Sequence, residues 1–200
     1  MNFRPQNKLI GNGPASVVLL LFAVLYLISC SSGGAPKPRG HFRIDFPEKI
    51  YTTFDSTCPF TFEYPVYGII AAEPGAGEPC WFNIEFPVYR GKIHLSYKEV
   101  NGNIGLLVED AHKLAYKHTV KAESIEENYW ENNEKNVFGT VYIIQGNAAS
   151  SIQFYLTDST SHYLRGSLYF DTQPDKDSLA PVIDFFREDV IHLVETLEWK

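Results

Sequence analysis

An apolar segment near the amino terminus decides how much of this chain is available to fold. Residues 17–28 are twelve consecutive apolar residues, and the stretch before them carries Arg4 and Lys8 and no acid. An α-helix of that length rises about 18 Å, whereas crossing a bilayer core takes about 20 residues. The segment is therefore short for a permanent transmembrane helix and predicts the apolar part of a secretory signal peptide.

The residues that end this segment predict how the signal is cleaved. Leu27-Ile28-Ser29-Cys30 has the pattern of a bacterial lipobox: a large apolar residue, a tolerant position, a small residue and a cysteine. The Cys30 thiol would take up diacylglycerol before cleavage leaves it as the first residue of the mature chain. The alternative is a buried cysteine at the end of an apolar anchor. One acyl chain binds a membrane only marginally and two suffice, so the three of a typical bacterial lipoprotein predict lasting attachment.

Residues 31–39 predict a flexible tether between this cysteine and the folded domain. These nine residues are small and rich in Gly and Pro, and a chain of that length reaches at most about 30 Å. The chain accordingly divides into a signal peptide at 1–29, the lipidated cysteine with its tether at 30–39, and a globular α+β domain at 40–200.

The residue after the cysteine bears on which membrane holds the protein. Ser31 stands where lipoproteins retained in the inner membrane commonly carry Asp. No acidic run of the kind that directs lipoproteins to the cell surface follows it. We therefore expect attachment to the periplasmic face of the outer membrane.

The charge of the mature chain bears on its partners. Without residues 1–29, 15 Lys and Arg remain against 24 Asp and Glu, a formal charge of −9. Nucleic acid and anionic lipid surfaces both attract basic patches, so neither is expected as a binding partner. About 160 residues are enough for one domain with a sizeable core.

Two cysteines remain in the domain, Cys58 and Cys80. In an oxidising periplasm such a pair suggests a disulfide, which would stabilise the fold by about 3 kcal/mol across a loop of roughly 20 residues. The alternative is a pair of inert buried thiols. A free-thiol count on the denatured, unreduced protein distinguishes the two.

Alternation of large apolar and polar residues predicts the first strands. A similar six-residue motif occurs three times, at 42–47, 60–65 and 82–87. Each copy places its aromatic residues on one face of a strand and an acid on the other, and the Pro that closes each copy ends the strand. The acids either form a shared binding stripe or are the exposed side chains of half-buried strands, which we favour; they are Asp45, Glu63 and Glu85.

The remaining pattern predicts an α+β domain. Strands are expected at 93–97 and 137–144, a strand with a loop at 123–134, and a hairpin at 151–157 and 163–170 around the polar turn 158–161. Two helices are expected, one from Asn103 to about His118 and one that follows a cap at Asp177 or Ser178. The sequence thus predicts a single domain with a mainly antiparallel sheet and two helices packed on it.

The apolar faces of both helices can be read from their spacing. In the first helix, Leu106, Leu107 and Leu114 form a narrow stripe, and the basic carboxyl end reads as a solvated terminus. In the second helix, the expected buried residues are Val182, Ile183, Phe186, Val190, Leu193, Val194 and Leu197. Trp199 is expected to pack against the sheet.

Catalytic and metal-binding patterns are missing from the sequence. His112 and His118 lie six apart, which is too far for one helical face, and neither domain cysteine has a neighbouring ligand for zinc. No nucleophile elbow, metalloprotease motif, phosphate loop or dinucleotide fingerprint occurs. His94 and Glu85 can meet across strands and His162 lies in a turn, but neither completes a catalytic set. We expect a protein that is not an enzyme and holds no metal or cofactor.

Several longer sequence segments carry a family resemblance: residues 39–47, 79–84, 91–97, 114–119, 164–170 and 195–199. Through them, residues 37–200 resemble the gliding motility lipoprotein GldD family of the Bacteroidetes. The resemblance implies a role in gliding motility and the associated type IX secretion machinery, with other proteins of these systems as partners. It transfers one site residue, the lipidated Cys30. The terminal helix after an antiparallel sheet also resembles the Mog1/PsbP-like arrangement, a fold-level analogy.

Three functional hypotheses follow. The first is a tethered, non-catalytic component that assembles or stabilises an envelope complex. The second is a small-ligand module for peptidoglycan or lipid fragments, with an aromatic pocket behind the sheet. The third is a hydrolase, which needs a cleft that joins His94 or His162 to an acid and a nucleophile.

Overall fold

The computed structural model describes residues 44–200 except 74, 76 and 79, together with residue 18. Arg43–Lys200 form one compact unit. Cys30, the tether and all of the signal segment but residue 18 lie outside the described residues. Within the described part of the chain, no helix is both long enough and apolar enough to cross a bilayer.

The described residues of the domain form ten strands and two α-helices. The strands in chain order are β1 (Tyr51–Phe54), β2 (Phe60–Pro65), β3 (Ile69–Ala72), β4 (Trp81–Phe86), β5 (Gly91–Glu99), β6 (Ala122–Asn132), β7 (Val137–Gly146), β8 (Ser150–Thr157), β9 (His162–Phe170) and β10 (Glu198–Trp199). The helices are α1 (Ile104–Tyr116) and α2 (Lys176–Thr196). Short 3-10 helices cover Pro87–Tyr89 and Lys117–Val120.

These strands form two antiparallel sheets. The main sheet has seven strands in the order β3-β4-β5-β9-β8-β7-β6, and a smaller sheet has the order β1-β2-β10. All of their pairings are antiparallel. The α+β class with a mainly antiparallel sheet and two helices is confirmed.

The core lies between one face of the main sheet, the small sheet and α2. Alternate side chains of each main-sheet strand point to this face, and fully burying one large apolar side chain contributes about 1.5–3 kcal/mol. Rings of β2 face those of β4 across the core, with the centroids of Phe60 and Phe82 6.4 Å apart. The most deeply buried members include Phe62, Ile84, Phe86, Ile93, Phe154, Leu164, Leu168 and Phe186.

The motif that occurs three times in the sequence does not form a structural repeat. Its second and third copies form β2, which ends at Pro65, and β4, which ends at Phe86 directly before Pro87. The described part of the first copy, residues 44–47, is not a strand. β2 and β4 belong to different sheets, so their similarity reflects two half-buried strands that pack on one core.

Helix α2 buries the predicted face, but its cap differs from the prediction. Asp175 has an extended backbone, and its side chain accepts hydrogen bonds from the backbone N–H groups of Asp177 and Ser178. The two residues expected to cap therefore lie inside the first turn and are capped themselves. Val182, Phe186, Val190, Leu193, Val194 and Leu197 are buried, and Ile183 is half-buried.

Asp189 is the residue of α2 that the apolar pattern did not predict to be buried. It is 1% exposed, and its carboxylate lies 2.8 Å from the Lys49 ammonium group. The hydroxyls of Tyr51 and Tyr67 also donate to it, at 3.1 and 2.6 Å. Burial, followed by the nearby carboxylate, raises the pKa of both tyrosines.

The predicted stripe of α1 is partly wrong. Leu106 is 65% exposed, and the buried face consists of Leu107, Ala111 and Ala115. The two alanines let the helix approach the rings of the sheet closely. This helix lies on the face of the main sheet opposite to α2.

Candidate functional site

The site with the clearest capacity for binding is a groove beside α1. The helix packs against β8 and β9 and leaves the same face of β4 and β5 uncovered. The resulting cavity has a volume of about 550 Å³. Its floor consists of strand residues and its wall of α1 residues, and the groove includes Glu73, Trp81, Asn83, His94, Ser96, Lys98, Leu107, Asp110, Ala111, Lys113, Leu114, Lys117, Tyr163 and Arg165.

One end of the floor is a hydrogen-bonded group around Glu73. The amide nitrogen of Asn83 donates to the Glu73 carboxylate at 2.6 Å, and Nδ1 of His94 lies 3.3 Å from the same oxygen. Asn83 and His94 face each other in the β4–β5 register, which brings them side by side. The Asn83 carbonyl oxygen is buried and has no hydrogen-bond partner among the described residues.

The other end of the floor is built on Arg165. Its guanidinium donates to the side-chain oxygen of Gln153 at 2.7 Å, and Gln153 is 2% exposed. No carboxylate of residues 44–200, leaving aside 74, 76 and 79, forms an ion pair with this guanidinium. A fixed planar cation without a carboxylate partner is a good site for an anionic ligand group.

The wall and rim combine apolar and basic groups. Leu107, Ala111 and Leu114 of α1 face the groove, and the hydroxyl of Tyr163 donates to the Leu107 carbonyl at 3.1 Å and fixes the helix to β9. Lys98, Lys113 and Lys117 stand at the rim as cations, and the last two belong to the helix end that the sequence suggested was only solvated. Lys113 is paired with Glu109 at 2.7 Å.

The pKa values of His94 in the groove and of His118 after α1 are both lowered. Burial lowers the pKa of His94 despite the opposing effect of Glu73. Burial and then the positive charge of Arg165 lower the pKa of His118. Both effects disfavour the charged form of the imidazole rings.

The polar groups of the groove lie at the two ends of its floor. In the described part of the chain, no group of three His, Cys, Asp or Glu side chains is placed to hold a metal ion. Ser96 lies two residues from His94 on the same strand face, which separates them by about 7 Å, too far for a direct hydrogen bond. What the floor offers is a cation at one end and hydrogen-bond acceptors at the other.

The sequence-predicted site residues are distributed as follows. Cys30 lies outside the described residues, so its lipidation stays a prediction. Cys58 and Cys80 are joined by a disulfide, one of the two alternatives that the sequence left open, with their Cα atoms 5.7 Å apart. It links the β1–β2 loop to the start of β4.

The proposed stripe of three acids does not form. Glu63 lies 2.7 Å from His192 of α2, Glu85 is opposite Lys92 in the β4–β5 register, and the Asp45 backbone carbonyl accepts from the hydroxyl of Tyr89. The three acids thus have separate environments, as the alternative reading expected.

Both histidine expectations need correction. The register pairs His94 with Asn83 rather than Glu85, so its acidic neighbour is Glu73 from the loop after β3. His162 is the first residue of β9, and it is half-buried because it stacks on Trp199 at 5.1 Å. Its Nδ1 lies 2.8 Å from the Tyr97 hydroxyl, so His162 is not a solvated turn residue.

Sequence reasoning missed the groove because its residues come from five separate parts of the chain: the loop after β3, β4, β5, α1 and β9. Alternation predicts that Asn83, His94 and Arg165 each point away from the apolar core, but it does not give the strand order β4-β5-β9. The position of α1 over β8 and β9 has no signal in the sequence either. A register prediction for the β4–β5 hairpin would have found half of the floor.

Comparison with known proteins gives one family. No curated protein matches the chain. Among solved structures, the chain is similar to the solution structure of cyanobacterial PsbP (CyanoP) from Synechocystis sp. PCC 6803, with 9% identity, a TM-score of 0.49, and coverage of 82% of this chain and 99% of that one.

The family comparison covers nearly all of the predicted mature chain. The family model described as "Gliding motility lipoprotein GldD" matches residues 31–199. Such a lipoprotein has a role in gliding motility and is anchored in the cell envelope by lipid. With a match of this extent, the chain belongs to the gliding motility lipoprotein GldD family.

Proposed function

We propose that this protein is a non-catalytic binding component of the gliding apparatus and of the associated type IX secretion machinery, held by lipid at Cys30 on the periplasmic face of the outer membrane. The observation that carries the proposal is the open polar groove beside α1, which is built to bind and lacks a catalytic set among the described residues. The family supplies the setting in gliding motility.

The attachment of the amino-terminal segment supports a component that transmits force between anchor and partner. Phe46 stacks on Phe185 of α2 at 4.3 Å, and the Lys49 ammonium group donates to the Phe185 carbonyl at 2.7 Å. Together with the Lys49–Asp189 ion pair, these contacts fasten the segment that follows the tether to the longest helix. The groove lies on the other face of the sheet, where a bound partner would not disturb this attachment.

The contacts of His94 and His162 support a non-catalytic role. His94 has an acidic neighbour in Glu73, but no described hydroxyl or thiol hydrogen-bonds to its ring. His162 contacts the hydroxyl of Tyr97, a residue that is 9% exposed and whose pKa is raised by burial, followed by Glu99 and Asp158. Neither histidine activates an accessible nucleophile, which argues against the hydrolase hypothesis.

The anchor is tested by Cys30→Ala. We expect the variant to lose membrane attachment and the cells to lose gliding, because the domain is no longer held beside its partners. Membrane fractionation and colony spreading measure the two effects. Full gliding with a soluble domain would refute the tethered component.

The partner is best sought by affinity purification from crosslinked membranes. An Arg165→Gln variant in the groove, processed in parallel, separates partners held by the groove from those held elsewhere. Recovery of gliding or secretion proteins with the wild-type domain, reduced with the variant, is the expected result. An unchanged set of captured proteins would assign the interaction to another surface.

The packing bears on the aromatic-pocket form of the small-ligand hypothesis in two ways. The phenylalanine rings fill the core, since Phe60, Phe62 and Phe86 are at most 1% exposed. Tyr129 and Trp130, which are of the residue types expected to line such a pocket, lie instead at a second cavity of about 350 Å³, which is smaller than the groove. A polar ligand is a different matter, since the groove beside α1 offers both charge and hydrogen bonds.

A further inference from the structure

We propose that the groove beside α1 binds a short peptide with a free carboxyl group, whose carboxylate contacts Arg165 and whose N–H groups contact Asn83 and Glu73. This inference deepens the proposed function and rests on the groove being its binding site. It names the chemical class of the ligand, a peptide carboxylate next to small apolar side chains.

Arg165 selects the carboxylate. A guanidinium presents five N–H donors in a planar fork that matches a carboxylate with two hydrogen bonds. Gln153 accepts from one nitrogen and holds the fork in place from beneath. The remaining donors line the groove without a carboxylate partner in the described part of the chain, so an incoming carboxylate displaces no existing ion pair.

Asn83 and Glu73 select hydrogen-bond donors at the other end. Asn83 is 3% exposed, and its carbonyl oxygen has no partner among the described side chains and backbone groups. An unsatisfied buried acceptor destabilises the site, and a donor from the ligand would satisfy it. A peptide supplies this donor as a backbone N–H.

The two ends are separated by a distance that a short peptide spans. Asn83 is opposite His94, and Arg165 is opposite Ser96 two residues further along β5. The strand positions therefore differ by about 7 Å along the strand and about 10 Å across two strand spacings. Both side chains extend into the groove and shorten the gap, so two or three residues, at about 3.5 Å each, fit between them.

The charges of the groove favour an anionic group, and its wall favours small side chains. The lining holds four Lys and Arg side chains against two acids, Glu73 and Asp110. Because Glu73 accepts a hydrogen bond from Asn83, it repels a carboxylate from that end of the floor and leaves the Arg165 end for it. Leu107, Ala111 and Leu114 offer a shallow apolar wall that suits methyl-sized side chains.

The test is an NMR titration of the soluble domain with four probes: N-acetyl-D-Ala-D-Ala, N-acetyl-L-Ala-L-Ala and the carboxyl-terminal amide of each. We expect at least one acid to shift the side-chain resonances of Arg165 and Asn83, and its amide to bind at least tenfold more weakly. A preference for the D form identifies a cell-wall peptide as the source, and a preference for the L form a protein terminus.

Variants separate the groove from general charge. Arg165→Gln is expected to weaken binding of the peptide acid by about tenfold or more, since a charge-assisted pair is lost. Arg90→Gln removes the same charge from an exposed turn outside the groove and should leave binding unchanged. If Arg165→Gln fails to fold, the exposed rim variant Lys98→Gln replaces it, with an expected two- to fivefold weakening.

The outcomes that overturn the inference are distinct from those that overturn the proposed function. If neither acid binds at 10 mM, or if amides and acids bind alike, the groove does not recognise a peptide carboxylate. The anchored, non-catalytic role would then still stand on the Cys30→Ala and gliding results. Loss of the anchored role in those experiments would equally leave a measured peptide affinity intact.

Discussion

At the scale of single residues, the charged groups of this domain divide into two classes. Asp189 is fully enclosed, and both of its carboxylate oxygens accept from donors of the fold, namely Lys49, Tyr51 and Tyr67. Arg165 is fixed by Gln153 but has donors left for a ligand. The first arrangement stabilises the protein, whereas the second keeps interaction capacity available.

Asp189→Ala tests the stabilising class. Removing the carboxylate leaves the ammonium of Lys49 and two tyrosine hydroxyls without their partner, so we expect the free energy of unfolding to fall by about 3–5 kcal/mol. Urea denaturation of the soluble domain measures it. Asp184→Ala on the same helix is the matched control, because its pair with Arg187 is exposed and should matter little. If both variants lowered the free energy of unfolding equally, the burial of Asp189 would not explain its contribution to stability.

At the scale of elements, strong periodicity marks what the sequence could predict. β2, β4, β5, the β8–β9 hairpin and both helices show a clear period of 2 or 3.6 residues, and each was predicted. β7 was predicted from its β-branched and apolar composition. β1 and β3 have four residues and β10 has two, so none carries enough alternation to be recognised. Their formation depends on pairing partners that are distant in sequence, such as β2 for β10.

The turn between β8 and β9 shows how local chemistry adds to periodicity. One carboxylate oxygen of Asp158 accepts from the backbone N–H groups of Thr160, Ser161 and His162. Burial opposes ionisation, but these hydrogen bonds hold the pKa of Asp158 below its ordinary value. A polar turn that starts with Asp is readable from sequence, whereas the register of β9 on β5 is not, and the groove depends on that register.

The disulfide is an element-scale constraint that can be measured. Replacing Cys58 and Cys80 together with Ser should lower the free energy of unfolding by about 3 kcal/mol, because the unfolded chain regains the freedom of a loop of roughly 20 residues. Denaturation with and without reductant gives the value. The wild-type protein should lose the same amount on reduction, and the double variant should be insensitive to reductant. Reductant sensitivity in the double variant would contradict this assignment.

At the scale of the whole molecule, the two faces of the main sheet contact different parts of the chain. The face toward α2 carries the aromatic core and the fastened segment after the tether. The opposite face carries α1 and the groove. Such a division would let one face of the domain hold the anchored segment while the proposed binding groove occupies the other, since the two sets of described contacts share only Leu95.

The effect of tether length on gliding can be measured. Inserting 20 Gly/Ser residues between Lys37 and Pro38 adds up to about 70 Å of reach at full extension. We expect the variant to stay in the membrane fraction but to lose most gliding, because the groove is no longer confined near membrane-bound partners. The same 20 residues appended after Lys200 are the control and should leave gliding unchanged. If the lengthened tether supports full gliding, confinement near the membrane is not needed, and the lipid serves only to retain the protein in the envelope.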